Sequence, residues 1–427
     1  MNILFLTSTY LPNPSANGIN SKSIIEELKK RGHQVTCISV QRNGETDVEI
    51  IHDTGIHRLP PSRYSQLIEK HANKKLLTAM LRITRSVKLI WLLHDFPNHD
   101  PQQAKRIRQK AQNLHFQKHF DLVIGVHKPY SNIAALLEFK RHNPDVPCIA
   151  YYLDLTNSHL KPKLMPQPIY EWLCFKADMR IFAALDLVLI AKKGERVYKS
   201  GKYDIVRRKI EYVDFPTLVI SDKNYDNPRI DDDQSAGSSI SLVFAGTLDR
   251  QYRNPEYLFK CMQAASKNLG NIEFHIYGRG NCDDIIDTYA GTASLKIIKH
   301  GLVSHETVVQ ALNSADFLVN ISNTIEDAVP SKIFELFSTG KPVINVVFLK
   351  NDPTRAYFDK YPVSFCLEGW QPIGNQPGKL AEFMQKNIGM VIDSGLIEES
   401  FRANKPEYIV DLIEKTQFLS NSSSGGI

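Results

Sequence analysis

Two runs of alternating strand and helix signals, separated by a polar stretch, constrain this chain more than any other feature. The first run opens with an apolar segment at Asn2–Thr7, continues with a glycine-bearing loop and helical spacing up to Arg31, and reaches a second apolar segment at 34–40. The alternation restarts at Ile240 and continues to about residue 347. Strand–helix–strand units imply parallel strands with right-handed crossovers. We therefore expect an α/β protein with two Rossmann-like doubly wound domains facing across a cleft.

The polar stretch sets the expected domain boundaries. It contains Asp231–Asp233 and a Ser/Gly-rich run, which is typical of a linker. The predicted organisation is a domain over 1–218 with a helical insertion at 65–118, a linker over 219–239, a domain over 240–393, a helical segment over 394–418 and a disordered tail over 419–427.

Length and composition exclude several classes of protein. With 427 residues, 42% of them hydrophobic, the chain can bury two or three cores, and it has no apolar run near the ~20 residues needed to span a bilayer. Met1–Tyr10 has no basic n-region, so we interpret it as a buried strand rather than a signal peptide. The six cysteines are scattered without metal-ligand spacing, which favours reduced thiols in the cytoplasm.

The positive charge is concentrated in one segment. Residues 63–118 hold 12 Lys or Arg against 3 Asp or Glu, whereas the whole chain has a net charge of +6. Lys74, Lys75, Arg82 and the apolar run at 89–93 mix basic and apolar side chains, as helices bound to anionic membrane surfaces do. We expect peripheral attachment to the inner face of the plasma membrane; a solvated helix is the alternative. Nucleic acid is not an expected partner, because the segment lacks interleaved aromatic residues for base stacking.

The second half resembles the donor domain of GT-B retaining glycosyltransferases of family four, also called group 1. The resemblance rests on the strand–loop opening Leu242–Leu248, the strand and glycine turn ending at Gly278, and the segment His300–Val303. Its strongest part is an acidic-x7-acidic signature from Asp327 to Glu335, with Asp327 where the family usually has Glu. Residues 1–45 and 120–345 resemble the family well. The family places acceptor binding in the first domain, donor binding in the second, and a final helix crossing back to the first.

Simple electrostatics supports a diphosphate site in the second domain. The resemblance places Gly246 and Gly278 at the donor, and Arg250 and Arg253 follow a strand's C-terminal end, where open α/β sheets bind ligands. Solvated loop residues are the alternative for the two arginines.

A second group of predicted donor contacts follows Pro330, which suits the first turn of a helix. The amides of Ser331 and Lys332, together with the Lys332 ammonium, would then face an anion. Glu335, one turn further, would accept two ribose hydroxyls; an exposed helical ion pair is the alternative for Lys332 and Glu335.

Three residues of the first half are candidates for the reaction. Gly18, after the first strand, lets backbone approach a sugar or phosphate, although a plain turn explains it almost as well. Asp154 ends a strand where related enzymes carry an acidic or histidine residue near the acceptor, so it would steer or deprotonate the incoming hydroxyl. A helix N-cap is its alternative role. His127, after another strand, is a second catalytic candidate.

The resemblance implies transfer of a sugar from a nucleotide-diphosphate donor, with UDP expected, to a polysaccharide or glycolipid acceptor. It implies retained anomeric configuration, no cofactor and no bound metal; Asp231–Asp233 lack the preceding strand that a metal-binding DxD motif needs. Two alternatives stay open, a non-catalytic GT-B-like partner subunit and a sugar-nucleotide epimerase. Lys332 and Glu335 together favour a catalyst.

Overall fold

The computed structural model describes most of the chain as two compact units. Unit 1 comprises Met1–Pro216 and Ala403–Ile427, and unit 2 comprises Thr217–Arg402. The described residues are 1–12, 15–42, 44–62, 66, 96–97, 100–156, 161, 165–220, 239–290, 295–325 and 329–423, with the side chains of Ala16 and 417–423 left aside.

Unit 1 is built on an eight-stranded sheet in the order β3-β4-β2-β1-β5-β6-β7-β8. All neighbouring strands are parallel except β3, which pairs antiparallel with β4 at one edge. The elements are β1 Asn2–Leu6, α1 Ala16–Lys30, β2 Gln34–Val40, β3 Val48–Ile51, β4 Thr54–Leu59, α2 Pro101–Lys118, β5 Leu122–His127, α3 Tyr130–His142, β6 Cys148–Tyr152, α4 Gln167–Ala184, β7 Leu187–Ala191, α5 Glu195–Tyr198, β8 Ile210–Val213 and, after the return from unit 2, α13 Pro406–Ser423. Short 3₁₀ turns occupy Lys192–Gly194 and Gly201–Lys209.

Unit 2 is built on a six-stranded parallel sheet in the order β11-β10-β9-β12-β13-β14. Its elements are β9 Ile240–Ala245, α6 Glu256–Leu269, β10 Ile272–Tyr277, α7 Asp283–Tyr289, β11 Leu295–Gly301, α8 His305–Ser314, β12 Phe317–Ile321, α9 Lys332–Phe337, β13 Val343–Val347, α10 Arg355–Phe358, β14 Ser364–Glu368, α11 Gln376–Asn387 and α12 Ser394–Ser400. This strand order is that of the dinucleotide-binding Rossmann fold. The predicted fold class, α/β with two Rossmann-like sheets, is confirmed.

Alternating apolar residues give the unit 1 sheet a core on each face. Ile3 and Phe5 belong to one buried cluster, and Leu4 and Leu6 belong to the other. Helix α13 contributes Ile409, Val410 and Ile413 to the first cluster.

Ion pairs fix the docking of α13 on α1. Arg31 Nη1 lies 2.7 Å from an oxygen of Asp411 and 2.8 Å from one of Glu414, and His33 Nε2 lies 2.8 Å from the other Glu414 oxygen. The final helix is therefore an integral part of unit 1.

The C-terminal helix prediction needs correction. The segment predicted as one helix over 394–418 contains α12, a 3₁₀ turn and α13, because Pro406 starts a new helix and cannot continue an old one. The tail expected over 419–427 is helical as far as Ser423, since no Gly or Pro interrupts α13 before that point.

Several other boundaries differ from the expectation. β3, β4 and β14 were not predicted, since each is a short run without a long apolar core. Of the helical insertion expected at 65–118, the structure describes α2 and a few flanking residues; 67–95 lie outside the described residues, as do 221–238 of the expected linker and Asp231–Asp233 within it.

Candidate functional site

The switch point of the unit 2 sheet lies between β9 and β12, where successive connections leave in opposite directions. Ligands of open α/β sheets bind beyond the carboxyl ends of the strands at this point. Arg253 follows β9, and its Nε donates to Asn323 Oδ1, which follows β12, at 2.8 Å. The Thr324 amide also donates to the Tyr252 carbonyl at 3.1 Å. The two loops are thus joined at the position where a ligand is expected.

A tight turn places Arg253 at this junction. The Asp249 carboxylate accepts from the amides of Gln251 and Tyr252 at 2.9 and 3.0 Å, and the Arg253 amide donates to the Asp249 carbonyl at 2.7 Å. Burial lowers the pKa of Arg253, with Asp249 acting in the opposite direction, and the guanidinium stays charged at neutral pH. Among the described residues, Arg253 forms no ion pair with a carboxylate, which leaves its charge available to an anion.

Arg250, the other arginine predicted to contact the donor, is paired with a carboxylate. Its guanidinium forms an ion pair with Asp284 in the first turn of α7, and its backbone amide donates to Asn281 Oδ1 at 2.8 Å. The side chain is more than half exposed. Arg253 therefore lies at the switch point, whereas the Arg250 side chain is paired with α7.

Gly246 and Gly278 are needed for a close approach of two backbone segments. A Cβ on Gly278 would lie 1.9 Å from the Gly246 carbonyl oxygen, and Gly278 has a φ of +142°, which favours glycine. Two residues on, a Cβ on Gly280 would lie 2.2 Å from the Leu248 carbonyl oxygen. These glycines bring the loops after β9 and β10 together, a packing role in addition to the donor contact that the resemblance implies.

We expect Gly278→Ala to lower the free energy of unfolding by about 3 kcal/mol, because a backbone clash adds to an unfavourable φ. Gly270→Ala is the matched control: its φ is +83°, but a Cβ there meets nothing within 4 Å, so about 1 kcal/mol is expected. Urea unfolding of both variants measures the difference. Equal losses would show that the close approach contributes no stability.

Lys332 and Glu335 form a linked pair on α9. Lys332 Nζ lies 2.6 Å from Glu335 Oε2, and His305 Nδ1, at the start of α8, lies 3.8 Å from Glu335 Oε1. That Oε1 atom is buried, yet no described residue donates a hydrogen bond to it. A buried carboxylate oxygen without a donor is costly to leave unsatisfied, so this atom is suited to a ligand hydroxyl.

The other two predicted donor contacts around α9 are Ser331 and Asp327. The Ser331 carbonyl accepts from Thr217 Oγ1 at 3.0 Å. Helix α9 has six residues, so we assign the predicted anion contact to the Lys332 side chain rather than to the helix terminus. Asp327 lies outside the described residues.

The switch point of the unit 1 sheet, between β1 and β5, is also joined by a side chain. Asn17 Nδ2 donates to the Lys128 carbonyl at 3.3 Å. An open cavity of about 500 Å³ lies here, and its lining residues are Ser8, Thr9, Ser15, Asn17, Val40, Lys128 and Pro129. Gly18 was predicted in the loop after β1, but it lies in the first turn of α1. The helix starts earlier than predicted because Ser15 caps it and accepts a hydrogen bond from the Gly18 amide.

Asp154 lies between two lysines. Its Oδ1 is 2.5 Å from Lys193 Nζ and its Oδ2 is 3.5 Å from Lys128 Nζ. Burial favours protonation of this carboxyl, but the two ammonium groups outweigh it and hold its pKa below the ordinary value. Asp154 is therefore ionised near neutral pH and a poor general base. The arrangement presents a carboxylate flanked by two cations at the carboxyl ends of β5, β6 and β7.

His127 is fully buried and offers no surface to a ligand. Its Nδ1 donates to the Asp154 carbonyl at 2.8 Å, and its ring packs 4.8 Å from that of Tyr152, centroid to centroid. Burial lowers its pKa to about 4, with Lys128 and Lys193 adding to the effect and Asp154 opposing it. His127 is thus neutral at pH 7, and we assign it a positioning role beside Asp154 rather than the predicted substrate contact.

Comparisons with known proteins agree with this geometry. The sequence model of a family described as "Glycosyl transferases group 1" matches residues 239–347, the part of unit 2 that holds Arg253, Lys332 and Glu335. The predicted resemblance to group 1 glycosyltransferases of the GT-B type is confirmed. Among curated proteins, none matches the sequence significantly.

Solved structures share the fold of this chain at low identity. The lipopolysaccharide outer core galactosyltransferase WaaB is 13% identical, with a TM-score of 0.53 over 98% of this chain and 99% of that one. The catalytic domain of starch synthase IV from Arabidopsis thaliana, bound to ADP and acarbose, is 10% identical, with a TM-score of 0.54 over 99% of both chains. A trehalose-6-phosphate structure from E. coli, bound with UDP-2-fluoro glucose, is 9% identical, with a TM-score of 0.51 over 100% and 99%.

Sequence reasoning missed four residues of the two candidate sites: Lys128, Lys193, His305 and Asn323. Lys128, Lys193 and Asn323 each follow a strand of a parallel sheet within two residues, so the position of strand ends is the signal that could have found them. No helix in the described part of the chain is long and apolar enough to cross a membrane.

Proposed function

We propose that this chain is a glycosyltransferase that moves a sugar from a nucleoside diphosphate, UDP being the expected one, to a glycan or glycolipid acceptor. The anomeric configuration is retained, and neither a resident metal nor a cofactor takes part. Six free cysteines suit a reducing compartment such as the cytoplasm, where nucleotide sugars are available.

One observation carries the donor assignment: Glu335 Oε1 is buried and lacks a donor among the described residues, beside a lysine at 2.6 Å from the same carboxylate. A ribose hydroxyl supplies the missing hydrogen, and a diphosphate supplies the anion that Lys332 and Arg253 face. Negative charge grows on the leaving diphosphate as the bond to the sugar breaks, so fixed cations stabilise the transition state more than the ground state.

Unit 1 would bind the acceptor. Lys128 lines the open cavity at the β1–β5 switch point and is also ion-paired with Asp154. Lys128 thus lies between this cavity and the Lys193–Asp154 pair, and we place the sugar acceptor beside these three residues. Asp154 would hold the two lysines in position beside the acceptor.

We expect Glu335→Gln to bind UDP about tenfold more weakly, because an amide offers one acceptor where the carboxylate offers two charged ones. Isothermal titration calorimetry with UDP and with 2′-deoxy-UDP measures this. The wild type should prefer UDP, and the variant should discriminate less between the two. Glu382→Gln, an exposed position on α11, is the control and should bind UDP as the wild type does.

The same preparations distinguish the alternatives. Incubation with UDP-sugars and analysis of the products by NMR should show slow hydrolysis with retained anomeric configuration. An epimerised nucleotide sugar would instead indicate an epimerase. Absence of UDP binding in the wild type would indicate a non-catalytic partner subunit and would overturn the proposal.

A further inference from the structure

A second cavity lies on the helical layer of unit 1. It has a volume of about 320 Å³ and is lined by α2, α3 and the Arg180 end of α4. None of the residues assigned to the donor or acceptor sites lines it.

The lining of this cavity is cationic. Lys105 and Arg108 from α2 and Arg180 from α4 face it, and none of the three forms an ion pair with another described residue. The one acidic lining residue, Glu138, is paired with Arg141 at 2.5 Å. Helix α2 contains five Lys or Arg and no Asp or Glu. The cavity therefore carries an uncompensated positive charge.

A buried hydroxyl in the lining also lacks an acceptor. Tyr130 is 2% exposed and lines the cavity, and its hydroxyl has no hydrogen bond of normal geometry with the described residues. The Arg180 guanidinium, which interacts with this hydroxyl, has only N–H donors. It therefore cannot accept the phenolic hydrogen, which stays without an acceptor. Burial, with Asp178 adding to it, raises the pKa of Tyr130, which keeps that hydrogen in place. An anionic oxygen inside the cavity would satisfy it.

The helices α2 and α4, which both contribute to the cavity, also carry exposed apolar side chains. Ile169, Trp172, Lys176 and Arg180 recur at helical spacing along one side of α4, and Lys176 Nζ lies 4.8 Å from the centroid of the Trp172 ring. Trp172 is 55% exposed. On α2, Phe116 is 85% exposed and lies three turns from Lys105 on the same side.

We propose that this α2–α4 face, consisting of Lys105, Arg108 and Phe116 with Ile169, Trp172, Lys176 and Arg180, binds an anionic membrane surface, and that the cavity holds the phosphate of a lipid headgroup. The phosphate accepts from Tyr130 and pairs with Arg108 and Arg180, while Trp172 and Phe116 enter the interfacial region. Charge complementarity selects an anionic surface, and the aromatic side chains beside the cations select a membrane over a free phosphate. Helix α2 lies within the segment 63–118 expected to attach to membranes; α4 lies outside it.

Vesicle co-sedimentation tests this proposal with the full chain. Wild-type protein should bind vesicles of phosphatidylcholine with 30% phosphatidylglycerol at low salt, and bind vesicles of phosphatidylcholine alone at least tenfold more weakly. Arg108→Gln with Arg180→Gln should lower binding to the anionic vesicles at least tenfold, and Tyr130→Phe severalfold. Lys267→Gln with Lys379→Gln removes the same charge from exposed positions of unit 2 and should leave binding unchanged. Equal losses of vesicle binding in the two double variants would show that only the net charge of the protein matters, and would overturn the site.

Two further measurements separate the possible outcomes. Adding anionic vesicles should shift the tryptophan emission to shorter wavelength in the wild type but much less in Trp172→Phe; an equal shift in both would overturn the assigned orientation. Stabilisation by inorganic phosphate without vesicle binding would identify a site for free phosphate and overturn the membrane assignment. The Arg108→Gln, Arg180→Gln variant should still bind UDP normally, so a failure of this proposal is distinguishable from a failure of the donor site.

Discussion

Replacing Lys332 with alanine is expected to lower kcat by about a hundred- to a thousandfold, the usual loss when one preorganised group facing a developing charge is removed. Lys332 Nζ lies on the Glu335 carboxylate at 2.6 Å, and we place the leaving diphosphate beside this pair. Charge on that diphosphate increases toward the transition state, so kcat should fall by more than the affinity for UDP. Steady-state kinetics with a UDP-sugar, together with calorimetry of UDP, separates the two effects.

The two arginines after β9 provide a matched comparison for the Lys332 variant. Arg253→Ala should also lower both UDP affinity and kcat, since Arg253 lies at the β9–β12 switch point with no carboxylate partner among the described residues. Arg250→Ala removes the same group from the same loop, but its partner is Asp284, and it should have little effect. If Arg250→Ala were the more damaging of the two, the diphosphate would have to lie along α7. Unchanged kinetics in Lys332→Ala and Arg253→Ala would place the nucleotide elsewhere.

The sequence was sufficient to predict strands that are buried on both faces. The apolar segments predicted at Asn2–Thr7 and 34–40 form β1 Asn2–Leu6 and β2 Gln34–Val40, because a continuous apolar run between turn signals has few alternatives. Edge strands such as β3 and β14 escaped prediction, since an edge strand needs less apolar surface and is stabilised by pairing with a distant neighbour.

The sequence predicted which residues belong to the candidate sites, but it did not predict which residues they contact. Lys332 and Glu335 are neighbours on one helical turn, so their ion pair is local. Asp154 meets Lys193 across 39 residues of sequence, and His305 approaches Glu335 from another helix. Such contacts depend on strand order and loop length, which the sequence pattern alone does not determine. For the same reason, His127 looked like a candidate for substrate contact, although the sheet buries it completely.

Asp154→Asn is expected to reduce turnover about a hundredfold while UDP binding to unit 2 stays nearly unchanged. The carboxylate holds Lys193 Nζ at 2.5 Å and Lys128 Nζ at 3.5 Å. An amide keeps the shape but loses the charge, so the two ammonium groups repel each other and leave their positions. Turnover with the true acceptor and calorimetry of UDP measure the two quantities, and urea unfolding controls for a general loss of stability.

The pH dependence indicates how Asp154 acts. Lys193 and Lys128 outweigh burial and lower the pKa of its carboxyl, so the stabilisation from these ion pairs is present above the unfolded pKa and is lost as pH falls through the lower, folded one. Above about pH 5 the carboxylate stays ionised. Wild type and Asp154→Asn should therefore show pH–kcat profiles of the same shape from pH 5 to 8, differing in height alone. An acidic limb near neutrality that disappears in the variant would instead identify Asp154 as a titrating general base.

A double-mutant cycle with Lys193→Gln decides whether Asp154 acts through the lysine. If Asp154 orients Lys193, each single variant and the double variant should lose turnover to a similar extent, because the second change removes nothing further. If the carboxylate touches the transferred sugar or the acceptor directly, the two losses should multiply. Lys199→Gln is the control for Lys193: it removes a lysine from the next turns of the same connection, where its partner is Glu195 rather than Asp154, and turnover should be unaffected. Wild-type turnover in Asp154→Asn would exclude both roles and leave the carboxylate a purely structural ion-pair partner.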